Sequence, residues 1–198
     1  MDQLFKGGLI LVAILMGYMI FESFVYLASA QTTVTVTATV TTSVTCSVST
    51  TTTSFGTIDP SQVWTSSPNV TTTVSCNPAG GCQVQVKDQG NGTNPGLYNS
   101  TANHLIQSQD ATLSAGTEGY GIQAATTTAG SGSTLSLSSK YNKTGNEVGG
   151  LTISYTVLAT SSSPTANREI VVTHKAAISV LTPAGSYEDT ITYDCVSN

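Results

Sequence analysis

Four cysteines, two histidines and a few carboxylates are the side chains of this 198-residue chain best suited to chemistry. Cys46, Cys76, Cys82 and Cys195 form an even set, which reads as two disulfides in an oxidising compartment. The preferred pairing joins Cys76 to Cys82, closing the turn Asn77-Pro78-Ala79-Gly80-Gly81, and Cys46 to Cys195, tying the first head strand to the last. Spacing alone also leaves Cys46 with Cys76 open. A zinc site is disfavoured, because the Cys76 to Cys82 interval exceeds the usual ligand spacing and no histidine lies nearby.

The remaining candidates do not converge. His104 and His174 belong to no nucleophile or metal motif and are expected at surface or edge positions. Asp88, Asn91 and Asn94 offer oxygen ligands at loop spacing but lack the glycine and glutamate of a calcium loop, so they read as a polar turn. Glu188 and Asp189 are adjacent in a strand pattern and face opposite ways, which rules out a catalytic dyad. Nothing supports an isopeptide bond through Lys140 or Lys175. The chain therefore reads as not an enzyme, without metal or cofactor. Trp64 with Tyr98 is the only plausible start of an aromatic sugar site, and Trp64 suits a core cap equally well. Asn69, Asn91, Asn99 and Asn142 head glycosylation sequons, and three of them fall between Asn69 and Asn99, suggesting an outward-facing loop region.

Composition sets the wider bounds. Charged residues make up 9% of the chain, against about 25% in an ordinary soluble domain, with Thr, Ser, Gly and Val in their place. The only cations after residue 30 are Lys87, Lys140, Lys143, Arg168 and Lys175, and the net charge is -5, so no basic patch exists to follow a phosphate backbone. Nucleic acid is an unsuitable partner. Residues 1–30 run from Lys6 through the apolar stretch Gly7 to Phe21 to Leu27-Ala28-Ser29-Ala30, the layout of a secretory signal cleaved after Ala30. The competing reading is a retained membrane anchor across residues 7–30. Either way Lys6 stays inside and the rest is exported to the cell surface or beyond.

Strand signals then alternate with turn signals. Val70, Val74 and Cys76, followed by Cys82, Val84 and Val86, predict a hairpin with one buried face. Tyr120, Ile122 and Ala124 predict another strand. Leu151, Ile153, Tyr155, Val157 and Ala159 are expected to point inward from one alternating strand, as are Tyr187, Ile191, Tyr193 and Cys195 from the last. Arg168 to Leu181 reads as a long or bulged strand, irregular at Ile170-Val171-Val172 and resuming at Ile178 and Val180. Ala125 to Gly150 reads as surface loop with a weak strand at Thr134 to Leu137, and no helix is expected after the leader.

Thr33 to Ser49 is the most informative segment, with Val34, Val36, Ala38, Val40, Val44, Cys46 and Val48 all on even positions. Strict alternation over about 15 residues would span about 50 Å, too long for one strand of a small domain. Val44 to Val48 is assigned to the head, leaving Thr33 to Val40 as a strand without a partner. Such a strand either folds back on its own head or adds to a neighbouring copy. A plain Thr-rich stalk would need no regular apolar face.

The runs Val44-Thr45-Cys46-Ser47-Val48-Ser49, Phe55-Gly56-Thr57-Ile58-Asp59-Pro60, Val70 to Cys76 and Pro183-Ala184-Gly185-Ser186-Tyr187 to Tyr193 resemble the spore coat protein U-like secreted pilin domain. Gly116 to Ile122 is similar to Thr-rich bacterial surface proteins, and the overall plan to donor-strand archaeal thread filaments. The resemblance implies an all-β, immunoglobulin-like (pilin-like) β-sandwich, left incomplete and filled by a neighbour's N-terminal strand. The expected plan is then a signal peptide or anchor at residues 1–30, a donor-type strand at 31–41 carrying Val34, Val36, Ala38 and Val40, and a head at 42–198. The expected function is that of a structural subunit of an extracellular pilus, thread or surface layer, partnered by copies of itself and by other surface subunits. The alternative is a monomeric adhesin or glycan-binding module.

Overall fold

Valine and threonine favour extended backbone because branching at Cβ suits a pleated surface better than a helical turn. The computed structural model describes residues 31–198, and these fall into two units, one ending at Val40 and the other running from Thr41 to Asn198. The leader and its cleavage point after Ala30 lie outside the described residues. Residues 31–40 form no strand, and Val34, Val36 and Val40 are 85%, 88% and 83% exposed.

Within Thr41–Asn198 every regular element is a strand. These are β1 (Val44–Val48), β2 (Trp64–Thr65), β3 (Val70–Cys76), β4 (Cys82–Asp88), β5 (Gly96–Asn99), β6 (His104–Gln107) and β7 (Ala111–Thr112). They continue as β8 (Gly119–Thr126), β9 (Ser131–Gly132), β10 (Ser136–Leu137), β11 (Glu147–Val148), β12 (Thr156–Thr160), β13 (Thr165–Ala177) and β14 (Ile191–Ser197). One sheet is built on β13, which pairs with β3 and β2 along one side and with β8 and β9 along the other, while β1 pairs with β3. A second sheet has the order β10-β12-β4-β14. Two small ribbons, β5-β6 and β7-β11, complete the fold, and all these ladders are antiparallel.

One core is shared by both sheets. Val70, Val74 and Cys76 from β3, Ile170 and Val172 from β13, Tyr120 and Ile122 from β8, and Cys82, Val84 and Val86 from β4 meet in a single cluster. Each fully buried valine or isoleucine contributes about 1.5–3 kcal/mol. Here β3 and β4 differ from the predicted hairpin: they do not pair, and each belongs to a different sheet. Both alternate buried and half-buried residues with the same phase, so the chain turns over at Asn77–Gly81 and sets the two apolar faces against each other. The Cys76–Cys82 disulfide closes that corner. Gly81, at φ +76°, is required there, because a Cβ would stand 2.3 Å from the Ser161 carbonyl oxygen. Ser161 instead accepts the Cys82 N–H on its hydroxyl at 3.0 Å and donates its own N–H to the Cys82 carbonyl at 2.7 Å.

Two other expectations change. Leu151 to Ala159 is not one strand: pairing begins at Thr156, and a register shift between Val157 and Ala159 reverses the phase. Leu158 and Ala159 are therefore buried, while Ile153, Tyr155 and Val157 face out. The irregularity of β13 sits between Thr165 and Arg168 rather than at Ile170-Val171-Val172, which alternates normally. Arg168 fixes this bulge by donating to the Ser133, Ala129 and Gly132 carbonyls. Ile178 and Val180 lie beyond the end of the strand.

The second disulfide joins Cys46 to Cys195 across 149 residues of sequence, while Cys76–Cys82 spans 6. Loop-closure entropy assigns about 5 kcal/mol to the long bridge and about 2 kcal/mol to the short one. Urea melts should therefore show a larger loss for the Cys46→Ser/Cys195→Ser double variant than for Cys76→Ser/Cys82→Ser. Equal losses would show that corner geometry, not chain entropy, governs the short bridge.

Candidate functional site

The first and last strands of the head each leave one edge open. The Asn77 N–H bonds the Ser43 carbonyl at 3.1 Å and the Ser49 N–H bonds Thr71 at 2.8 Å, so odd-numbered residues of β1 bond to β3. The backbone groups of Val44, Cys46 and Val48 then face away from the sheet. Likewise Gln89 N–H to Thr190 and Asn198 N–H to Gly81 place even-numbered residues of β14 on β4, turning Ile191, Tyr193 and Cys195 outward. No backbone hydrogen bond joins β1 to β14 among the described residues. Two unpaired strand edges near one another are the geometry that strand addition requires.

The disulfide limits that site. An inserted strand stands about 4.8 Å from each neighbour and so holds them about 9.6 Å apart. The Cα atoms of Cys46 and Cys195 are 5.9 Å apart, so no strand passes between β1 and β14 at that level. Since β1 runs against β3, and β14 against β4, the two edge strands run antiparallel, which puts Val48 on the same side of the disulfide as the half-buried pair Ile191 and Tyr193.

Asn77 governs how the chain reaches β1. Its Nδ2 donates to the Thr41 carbonyl at 2.8 Å and its Oδ1 accepts the Ser43 N–H at 2.7 Å. Thr41 and Ser43 are thus held by hydrogen bonds to Asn77, and residues 41–43 form no turn.

Below the β14 edge lies a pair that sequence spacing did not reveal. Asp88, the last residue of β4, is 2% exposed, and neither of its carboxylate oxygens has a hydrogen-bond partner of normal geometry. Asp189 stands beside it, accepting the Gly90 N–H at 3.2 Å on one oxygen and leaving the other unpaired. Burial, and then the Asp189 carboxyl, push Asp88 up to about 8, against the smaller opposing effect of the Gly96 and Gly90 amides. The buried hydroxyls of Tyr120 and Tyr193 face the same pair and are raised by burial and by its charge. Spacing in the sequence puts Asp88 in a polar turn with Asn91 and Asn94. Asn91 does form that turn, accepting the Thr93 and Asn94 N–H groups, but Asp88 points into the core instead. The only sequence signal was parity: Asp88 continues the inward positions Val84 and Val86.

Other candidates are kept apart. His174 is 3% exposed on central strand β13, not at an edge, with Nδ1 3.4 Å from the buried Ser66 hydroxyl. Burial lowers it to about 4, which makes it a sealed neutral histidine rather than a base open to substrate. His104 lies between the Tyr187 hydroxyl at 3.2 Å and Glu118 at 3.5 Å. Trp64, on β2, donates Nε1–H to the Asp59 carbonyl, while Tyr98 lies on β5 in another sheet. Among the described residues no group of three or more metal-type side chains converges. Asn69, Asn91 and Asn142 are exposed, but Asn99 is 2% exposed and its Oδ1 accepts the Thr101 and Ala102 N–H groups, so it does not belong to an outward-facing loop.

The carboxyl pair has a definite pH signature. A carboxyl raised above its unfolded value keeps its proton in the folded state, so its stabilisation is complete below about pH 3.8 and is lost as pH rises toward about 8. His174 acts in the opposite sense, losing stability as pH falls from 6.5 toward about 4. Asp88→Asn should therefore melt increasingly above the parent protein as pH is raised from 5 to about 9. A constant difference in melting temperature across that range would show that Asp88 ionises freely in the fold.

No family model matches the chain, and no curated protein or solved structure matches it.

Proposed function

We propose that this protein is a secreted structural subunit of an extracellular filament or surface layer, joined to its neighbours by addition of its N-terminal strand. The observation that carries the reading is the uncharged run Thr33–Val40, whose valines alternate as in a strand yet stand 83–88% exposed and unpaired. Apolar side chains spaced for a sheet favour an edge to join. The head supplies unpaired edges on β1 and β14, and the acceptor on this reading is the stretch between them on the Val48 side of the disulfide.

On this reading the head is an immunoglobulin-like, pilin-like β-sandwich, since two antiparallel sheets enclose one core and the first and last strands border the opening. Two disulfides fit an oxidising, extracellular location reached by export. The hydroxyl-rich surface and the sealed Ser66–His174 pair suit a structural part better than an enzyme. Because the bridge shortens the gap, two or three of Val34, Val36, Ala38 and Val40 enter it rather than all four. Burying them yields roughly 2–6 kcal/mol before ordering costs, with the backbone ladder added.

Deleting residues 31–41, or replacing Val36 with Asp, should abolish filaments seen by electron microscopy and leave a folded monomer. The melting temperature of that monomer should stay within a few degrees of the parent, because the tail acts on a neighbour's edge. Filaments persisting after the deletion would overturn strand addition. A head that loses its cooperative melt would place the strand on its own domain.

A further inference from the structure

We propose that the cavity between the β5–β6 loop and the segment before β14 binds a neutral sugar ring. This cavity, about 330 Å³, is lined by Tyr98, Asn99, Ser100, Gly185, Ser186 and Glu188 among others. The volume lies at the small end of ligand pockets, which run from about 300 to 1,000 Å³. Its walls are fixed to each other: the Tyr98 N–H donates to the Glu188 carbonyl at 2.8 Å and the Glu188 N–H donates back at 3.0 Å. The site is independent of the strand-addition reading, since it uses neither the tail nor the β1 and β14 edges.

Asn99 supplies the decisive feature. Its Oδ1 is committed to the Thr101 and Ala102 N–H groups, which orients the amide and leaves Nδ2 buried without a hydrogen-bond partner. The Tyr187 hydroxyl lies nearby without reaching hydrogen-bond geometry to it, having the Pro183 carbonyl as its acceptor at 2.8 Å and His104 at 3.2 Å. A buried donor left unsatisfied costs about 1–3 kcal/mol, and an acceptor entering the cavity removes that cost. Only a glycine fits against that donor at position 185. Its φ is +145°, and a Cβ there would lie 2.4 Å from Asn99 Nδ2.

The lining defines the ligand by its chemistry. Asn99 seeks an acceptor, the Glu188 carboxylate seeks donors, and Ser100 and Ser186 do either. Tyr98 adds an aromatic surface at the cavity, its own hydroxyl donating to Asn103 at 2.9 Å. No lysine or arginine lines the space, so an anion gains nothing there. Alternating donors and acceptors beside an aromatic ring match the hydroxyls and apolar faces of a pyranose. Asn99 thus serves as a receptor for sugar rather than as an attachment point for it.

The test is amide-detected NMR titration of the exported chain with glucose, galactose, mannose and N-acetylglucosamine to about 10 mM, a range that captures millimolar affinity. At least one should shift the Ser100, Gly185 and Ser186 amides saturably. Gly185→Ala should weaken that response at least about tenfold, and Glu188→Gln, which leaves the backbone untouched, at least about threefold. Asn142→Gln should change nothing. A neutral polysaccharide containing the responding sugar, run in parallel, tells a chain-borne sugar from a free one by which of the two binds more tightly. No saturable shift with any probe, or an undiminished response in both cavity variants, would overturn the proposal.

Discussion

The opposition of β3 and β4 is the constraint on which the rest of the head depends. Two strands of the same phase, joined by a short corner, have nowhere to bury their valines except against each other. Once they face one another, each recruits partners sideways: β1 and β13 flank β3, and β12 and β14 flank β4. The corner cannot relax, because Gly81 is packed on Ser161 and the Cys76–Cys82 bridge shuts it. Layering of the domain thus follows from one reversal in which the chain passes from sheet to sheet rather than forming a hairpin.

That reversal also marks where the sequence was legible and where it was not. Alternation located β1, β3, β4, β8 and β14, because a half-buried strand repeats every second residue whatever it pairs with. Pairing itself left no local trace: a hairpin and a corner between sheets present the same phase on both sides of the same glycine-rich turn. Leu151 to Ala159 misled for a related reason, since the bulge near Val157 shifts the phase inside an apparently regular run. The Asp88–Asp189 pair and the Asn99 cavity were invisible because their members lie about a hundred and about ninety positions apart and meet only in three dimensions. The meaning of parity at Asp88 was available, yet a carboxylate before Gln-Gly-Asn invites the reading of a turn.

With so few charges the head cannot rely on ion pairs to fix its loops, and it uses neutral or singly charged groups against backbone carbonyls and amides instead. Arg168 holds three carbonyls of one loop, Asn77 secures the approach to β1, and Asn198 ties the C-terminus to Gly80 and Ser161. Each is a side chain replacing a missing strand partner. Such bonds keep their strength across ionic conditions that would screen surface ion pairs.

The bridge between Cys46 and Cys195 has a mechanical meaning as well. A pull entering the head through residues 41–45 meets a covalent bond one residue later and passes directly into β14. The residues enclosed between the two cysteines then lie in a closed loop that tension bypasses. Stretching can peel the hydrogen bonds of Asn77 and the first residues of β1, but it cannot unravel the two packed sheets behind them. Pulled between residues 41–45 and β14, the head behaves as a short, nearly inextensible link.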